Sequence, residues 1–284
     1  MQIKRKPEWL KIKLSKGEDY LKVKEIVKQH HVHTICESGD CPNLGECWSR
    51  GTATFMILGN ICTRNCRFCN VETGKPLPPD INEPLNIANS IRLMKLKHCV
   101  ITSVDRDDLT DLGASHWAET ILKIKELNPT TTIEVLIPDF QGKIDFLQKV
   151  IDAKPEIISH NLETVERLTS GIRNKAKYRL SLDVLKYIAQ SGITAKSGIM
   201  LGLGEKEEEI LQTMDDLLAI GCKIITIGQY LQPTRQNISV EEYITPEKFE
   251  FYRIKALEKG FEFAESAPMV RSSYHAEKQI KVKG

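Results

Sequence analysis

The sequence predicts an α/β protein, a partial (β/α)6 TIM-like barrel with N- and C-terminal extensions, and three observations carry that expectation. From residue 53 onward, short β-branched runs alternate with helix-length amphipathic segments, the pattern of repeated βα units around a parallel sheet. The helical segments end on punctuation: Asn128-Pro129 and Lys154-Pro155 stop helices, and Gly192 and Gly221 stand just past helical ends. Polar residues gather directly after the predicted strands, where βα barrels place their chemistry. A chain of 284 residues is long enough to bury the core this fold needs.

Taken in order, the predicted strands are Thr52 to Leu58, Cys99 to Val104, Thr131 to Ile137, Ile157 to His160, Thr194 to Met200 and Lys223 to Ile227. Helices are expected near Pro84 to Lys97, Ala114 to Leu127, Lys143 to Ala153, Glu163 to Thr169 with Ser181 to Ser191, and Lys206 to Ala219. The loops after the six strands hold, in turn, Cys62 to Cys69; Ser103 with Asp105-Arg106-Asp107-Asp108; Asp139; Asn161 and Glu163; Gly202-Leu203-Gly204-Glu205; and Gln229 with Tyr230. A last helix from Pro246 to Lys259 and a short run Phe261 to Ala264 precede a tail without a core pattern. The expected organisation is an N-terminal extension over 1–51, a barrel over 52–265 and a C-terminal tail over 266–284, in one structural unit.

Hydrophobic residues make up 41% and charged residues 27%, which excludes extended disorder. No apolar run reaches the roughly 18 residues of a membrane span, and the start MQIKRKPEWLKIKLSKGE lacks the apolar stretch of a signal peptide, so a cytoplasmic protein is expected. A net charge of +2 gives no reason to expect nucleic acid as a partner. The first 28 residues hold nine Lys or Arg against four acids. That excess reads either as a solvated basic face or as a docking surface for an acidic protein, with Lys11, Lys13 and Lys16 the residues to reverse.

Eight cysteines in such a chain argue against a disulfide framework. Six of them, Cys36, Cys41, Cys47, Cys62, Cys66 and Cys69, fall within 34 residues, whereas Cys99 and Cys222 stand alone beside apolar runs as small hydrophobes. Cys62, Cys66 and Cys69 follow C-x3-C-x2-C spacing after the first strand. Three thiolates suit a cubane iron–sulfur cluster that keeps one iron open for another ligand. Structural zinc is the competing reading, but it normally pairs a C-x2-C with a second pair or two histidines. Upstream, Cys36, Cys41 and Cys47 follow C-x4-C-x5-C spacing with Gly39, Pro42 and Gly45 between them, turn residues that let a chain wrap a bulky cluster. A zinc or metal-free loop stays open for that segment taken by itself.

The C-x3-C-x2-C loop, with Phe68 before its last cysteine, resembles the radical S-adenosylmethionine signature. Together with the upstream motif it resembles the lipoyl synthase family over roughly residues 33–276. The likeness runs through Val104-Asp105-Arg106-Asp107-Asp108-Leu109, His160-Asn161-Leu162-Glu163-Thr164-Val165, Lys196-Ser197-Gly198-Ile199-Met200-Leu201-Gly202-Leu203-Gly204-Glu205, Gln229-Tyr230-Leu231-Gln232-Pro233 and Arg271-Ser272-Ser273-Tyr274-His275-Ala276. One departure is Asp111-Leu112-Gly113, where the family usually shows two glycines after the Asp.

The resemblance implies two 4Fe-4S clusters and S-adenosyl-L-methionine as cofactors. Cys62, Cys66 and Cys69 are implied to hold the cluster that yields a 5′-deoxyadenosyl radical. Cys36, Cys41 and Cys47 with Ser273 are implied to hold an auxiliary cluster that supplies sulfur. The implied substrate is an octanoyl chain on a lysine of a lipoyl carrier domain or the glycine-cleavage H protein, which gains sulfur at C6 and C8 at the expense of two S-adenosylmethionine molecules. An electron donor such as a flavodoxin or ferredoxin is a further implied partner. Expected S-adenosylmethionine contacts are the Phe68 backbone, Ser103, Asn161, Glu163, Lys196 and Arg179. Against these stand a helix-capping role for Glu163, a surface charge for Arg179 and a structural charge network for Asp105 to Asp108. Two other functions compete: sulfur insertion into a free small molecule, as in enzymes similar to biotin synthase, and electron transfer, to which an open iron brings nothing.

Overall fold

The computed structural model describes residues 5–11, 17–50 and 52–282, and these form two compact units. The first takes in the described residues of 13–65 and 70–158, and the second those of 1–12, 66–69 and 159–284. Lys13 and Lys16 lie outside the described residues. Lys11 is exposed and pairs with Glu8 at 2.7 Å. No helix among the described residues is long and apolar enough to cross a membrane.

In the first unit, helix α1 (Glu18–Gln29) buries Val23 and Val27, four residues apart on one face. Strand β1 (His33–Thr34) and the short helices α2 (Ile35–Ser38) and α3 (Leu44–Ser49) follow. Strand β2 (Thr54–Ile57) is buried at every residue, as a strand covered on both faces requires. Next come β3 (Ile61–Cys62), β4 (Glu72–Thr73), α4 (Glu83–Leu93), β5 (His98–Ser103), α5 (Ala114–Leu127), β6 (Thr132–Leu136) and α6 (Ile144–Asp152). Strands β2, β5 and β6 run parallel, Met56 pairing with Thr102 and Val100 with Glu134. Against β2 lies β1, antiparallel, with His33 opposite Met56. The N-terminal extension thus contributes a sheet edge, which its two residues are too few to announce as a pattern. The helices cover the sheet through Ile87, Ala88 and Ile91 of α4 and Trp117, Ile121 and Ile124 of α5, all buried.

The chain passes to the second unit within β7 (Ile157–Ser159) and continues through α7 (Glu166–Ile172), α8 (Tyr178–Gln190), β8 (Thr194–Leu201), α9 (Glu207–Ala219), β9 (Ile224–Gln229), α10 (Pro246–Lys259) and β10 (Phe263–Ser266). Strand β9 is parallel to β8 on one side and to β10 on the other. Pro246 opens α10, the Thr245 hydroxyl accepts the Lys248 N–H, and Gly260 at φ 118° closes it.

The α/β class and the parallel βα units agree with the sequence expectation, and the six expected strands end within about two residues of their observed bounds, the usual margin for such boundaries. Two details differ. Phe261 to Ala264 becomes β10, a further parallel strand rather than a lead into the tail. The helix expected from Glu163 begins at Glu166, because Glu163 forms a bridge to Ile199 at φ 67°. Leu112, in the Asp111-Leu112-Gly113 turn, sits at φ 55°, a left-handed conformation that costs a side-chain-bearing residue on the order of 1 kcal/mol. Cys99 and Cys222 are buried, and burial pushes the Cys222 thiol up to about 12.

Candidate active site

In the first unit, the cysteine loop leaves β2 through Leu58 and Gly59, both at positive φ (67° and 89°). Glu83 receives the Leu58 N–H at 2.7 Å, and Arg106 donates to the Leu58 carbonyl at 3.2 Å. Strands β3 and β4 pair in parallel, Cys62 opposite Thr73, so the loop base is closed by a ladder. The Cys62 sulfur accepts backbone N–H groups from Arg64 at 3.4 Å and Asp105 at 3.3 Å. Burial, then the nearby Asp105 carboxylate, pushes the Cys62 thiol up against those two donors. Such N–H donors favour a sulfur that carries negative charge, as a ligand to iron does.

Arg64, between the first two cysteines, is the hub of this end of the unit. Its guanidinium is bidentate to Asp107 (2.9 and 2.9 Å) and to Asp139 (2.9 and 2.8 Å), with Asp105 at 3.3 Å. Burial disfavours its charge, but Asp107 and Asp139 overcome that and hold it protonated. The Thr63 hydroxyl adds a bond to the Asp105 carbonyl (2.9 Å) and accepts the Asp107 N–H (3.0 Å). The expected charge network around Asp105 to Asp108 is therefore present, centred on a residue that the motif reading passed over. The signal available in sequence is an arginine between the first two cysteines of the loop together with acids after two successive strands. Ser103, at the end of β5, has a buried hydroxyl for which no described residue is a partner.

Residues Cys66 to Cys69 belong with the second unit. Arg67 donates its N–H to the Ile172 carbonyl (2.9 Å) and accepts the Ile238 N–H (3.0 Å), while the Asn237 side chain donates to the Cys69 carbonyl (2.9 Å). Phe68 packs on an apolar cluster of Ile172, Leu203, Tyr230 and Val240. Near the start of β8, Lys196 is fully buried and donates to the Ser272 carbonyl at 2.6 Å. The Asn161 side-chain amide donates to the Ser272 hydroxyl at 2.7 Å and to Glu163 at 3.1 Å, and its buried Oδ1 has no partner among the described residues. Burial pushes the Glu163 carboxyl up, opposed by Arg173. Gly198 is required by this crowding, since a Cβ there would stand 2.6 Å from Thr226 Oγ1 and 3.0 Å from Asn161 Oδ1.

The structure does not bring Arg179 to Asn161 and Glu163. It lies exposed on α8, bidentate to Glu166 at 2.7 and 2.6 Å. The guanidinium that reaches this pair is the buried Arg173, which donates to the Asn161 and Leu162 carbonyls at 3.1 and 3.2 Å. Five residues of chain separate the two arginines, and the path between α7 and α8 decides which one turns inward.

The upstream cysteines all lie in the first unit. Thr34 caps α2 by accepting the Glu37 N–H at 3.3 Å, placing Cys36 in the helix. The Cys41 N–H bonds the Cys36 carbonyl at 3.0 Å, and Cys47 follows on α3. Gly39 sits so close to the preceding turn that a Cβ would meet the Ile35 carbonyl at 2.7 Å. Burial, then the neighbouring Cys41, pushes the Cys36 thiol up to about 11, and burial, then Cys36 and Cys41, pushes Cys47 up to about 12. Both thiols are thus held toward their neutral form by burial and by the neighbouring cysteines. Among the described residues no three His, Cys, Asp or Glu side chains converge as a single ion would need. Ser273 lies in the second unit, one residue beyond Ser272.

A model of the radical SAM superfamily matches residues 56–217. Lipoyl synthase of Parabacteroides distasonis is 66% identical over 276 residues, covering 97% of this chain and 98% of that relative. Lipoyl synthase of Treponema denticola is 62% identical over 276 residues, covering 97% and 95%. The chain belongs to the lipoyl synthase family. Among solved structures, methylornithine synthase aligns with a TM-score of 0.58 over 88% of this chain and 79% of its own, at 11% identity. A maturase of the FeFe-hydrogenase aligns with a TM-score of 0.60 over 94% and 67%, at 14% identity. These two share the fold. As a radical SAM enzyme, a lipoyl synthase works with a 4Fe-4S cluster and S-adenosylmethionine. In the first unit the orphaned Ser103 hydroxyl and the N–H donors on Cys62 are chemically suited to such groups, and in the second, taken by itself, so is the buried Asn161 Oδ1.

Proposed function

We propose that the enzyme inserts two sulfur atoms, at C6 and C8, into a protein-bound octanoyl-lysine to give lipoyl-lysine, with the sulfur drawn from an auxiliary 4Fe-4S cluster. Cys62, Cys66 and Cys69 would hold the radical-generating cluster, and Cys36, Cys41, Cys47 and Ser273 the auxiliary one. When bound, the first supplies the electron that cleaves S-adenosylmethionine to a 5′-deoxyadenosyl radical, and the second supplies sulfide. The observation that carries this reading is the presence of two separate thiol triads, one in a polar loop after a parallel strand and one on two short helices and the turn that joins them.

The chain's own residues have definite tasks in this reaction. Arg64 fixes the ligand loop by locking it to Asp107 and Asp139, so the cluster needs no rearrangement to receive its partner. Phe68 and its apolar neighbours keep water from one flank of the loop. Asn161 and Ser103 offer hydrogen bonds to polar groups of S-adenosylmethionine, and Glu163, with its carboxyl pushed up by burial, is suited to a ribose hydroxyl. The macromolecular substrate is an octanoylated lipoyl carrier domain or glycine-cleavage H protein, with a flavodoxin or ferredoxin as reductant. Sequence similarity to lipoyl synthases over nearly the whole chain supports both assignments.

The test is anaerobic reconstitution with iron and sulfide, then incubation with S-adenosylmethionine, a reductant and an octanoylated lipoyl-domain peptide, read by mass spectrometry. Peptide gaining two sulfurs together with 5′-deoxyadenosine is the expected outcome. Cys41→Ala should still form 5′-deoxyadenosine but transfer no sulfur. Deoxyadenosine without sulfur transfer in the unaltered enzyme rejects this substrate, and neither product from a protein carrying both clusters rejects radical chemistry here.

A further inference from the structure

The C-terminal tail is tied to the second unit at successive residues. Ala267 donates its N–H to the Ile227 carbonyl at 3.2 Å, and the Gln229 N–H bonds the Pro268 carbonyl at 3.2 Å. Val270 is buried directly over Gly228, where a Cβ would stand 2.1 Å from the Val270 carbonyl oxygen. Arg271 Nη1 bonds that same carbonyl at 2.6 Å. Ser272 is then gripped twice, its carbonyl by Lys196 Nζ at 2.6 Å and its hydroxyl by Asn161 at 2.7 Å. Lys196 makes this contact from a fully buried position on β8, and Asn161 is itself steadied by Glu163 and by Arg173 on its carbonyl.

Burying a lysine is costly unless its nitrogen is well bonded, so a fully buried Lys196 needs an arrangement that repays its desolvation. Lys196 directs a charge-assisted bond at a backbone carbonyl of the tail, a group that carries no sequence-specific chemistry and whose only property is where it lies. Two neighbouring serines are thereby given different tasks. The Ser272 hydroxyl is committed to Asn161, and Ser273 is the next residue along a backbone held fixed immediately before it.

We propose that Lys196 and Asn161 are positioning residues that latch the tail through Ser272, and that the latch sets the placement of Ser273 as a ligand of the auxiliary cluster. This rests on the reading of Ser273 as that ligand. Lys196 acts here through the tail backbone, with Gly228 leaving room for the strap to lie flat. The latch also gives the serine ligand a route of control: loosening Ser272 frees Ser273 without touching any cysteine.

The experiment uses the full chain carrying Cys62→Ala, Cys66→Ala and Cys69→Ala, so that only the auxiliary cluster is read. Ser272→Ala, Lys196→Met, Lys196→Arg and Ser273→Ala are compared by amide hydrogen exchange over 267–276, by Mössbauer spectroscopy and by the rate of iron loss to a chelator. Ser272→Ala removes one hydroxyl and keeps the test decisive if Lys196→Met does not fold. Tail exchange and iron loss should each rise about tenfold in Ser272→Ala and further in Lys196→Met, with partial recovery in Lys196→Arg. The Mössbauer signature of the latch variants should shift toward that of Ser273→Ala. Unchanged tail exchange in Ser272→Ala and Lys196→Met overturns the latch, whatever Ser273→Ala does. An unaltered cluster in Ser273→Ala overturns the serine reading and the purpose assigned to the latch, and the exchange data then show separately whether the tail is tied as described. Altered clusters in Ser273→Ala alone, beside freely exchanging tails in the latch variants, also overturn it.

Discussion

The two cysteine segments proposed as cluster ligands are held in opposite ways. Cys36 and Cys47 ride on short helices within one unit, so their spacing is set by backbone geometry, and burial holds both thiols toward their neutral form. The Cys62 to Cys69 segment is an irregular loop whose shape is imposed from outside, by the Arg64 clamp on one part and by the Phe68 apolar cluster and Asn237 on another. A ligand set built into helices is fixed wherever the helices form. One built into a loop depends on other side chains to hold it.

The comparison is sharpest in thiol reactivity. In the cluster-free chain, Cys47, raised from 9.0 to about 12, should be alkylated at pH 8 about a thousandfold more slowly than an ordinary thiol, with Cys36 next, raised to about 11. The sign follows from the direction of the shift: a raised thiol favours its neutral form. These thiols leave fold stability unaffected below about pH 9, and stability falls as pH rises from there through about 11 to 12, because the unfolded chain ionises first. A mass-spectrometric time course of iodoacetamide labelling checks it, and comparable rates at Cys47 and in a free peptide would break the distinction.

Arg64→Ala should cost about 3 kcal/mol in denaturant unfolding, because it removes the guanidinium that neutralises the buried Asp139 and the partly buried Asp107. Lysine should recover little, since it cannot form two bidentate pairs. The radical-generating cluster should be lost while the auxiliary cluster keeps its spectrum, and loss of both would show that the two segments are not independently held. Phe68→Ala should cost less, about 2–3 kcal/mol by the same measurement, because the ring is only partly buried. Labelling of Cys36 and Cys47 should not change in that variant. The smallest effect is expected at Arg179, where alanine should alter S-adenosylmethionine affinity by less than about twofold in equilibrium binding, since the exposed pair with Glu166 is screened by water.

Sequence pattern alone determined the α/β class, the order of the parallel βα units and the two cysteine triads, because each is a local signal: alternation of β-branched and amphipathic runs, Pro and Gly at helix ends, and fixed spacing between thiols. The two-residue strand β1 escaped it because pairing with Met56 and Phe55 is a property of the partner strand. Only the tertiary structure decided what holds the site. Asp107 and Asp139 reach Arg64 from 43 and 75 residues away, and Ser272 reaches Lys196 from 76. It also decided that Arg173 turns inward while Arg179 stays in solvent, a choice made by the path of a few loop residues. Ligand chemistry is written in residue type and spacing, whereas its support comes from long-range contacts that no local window of sequence contains.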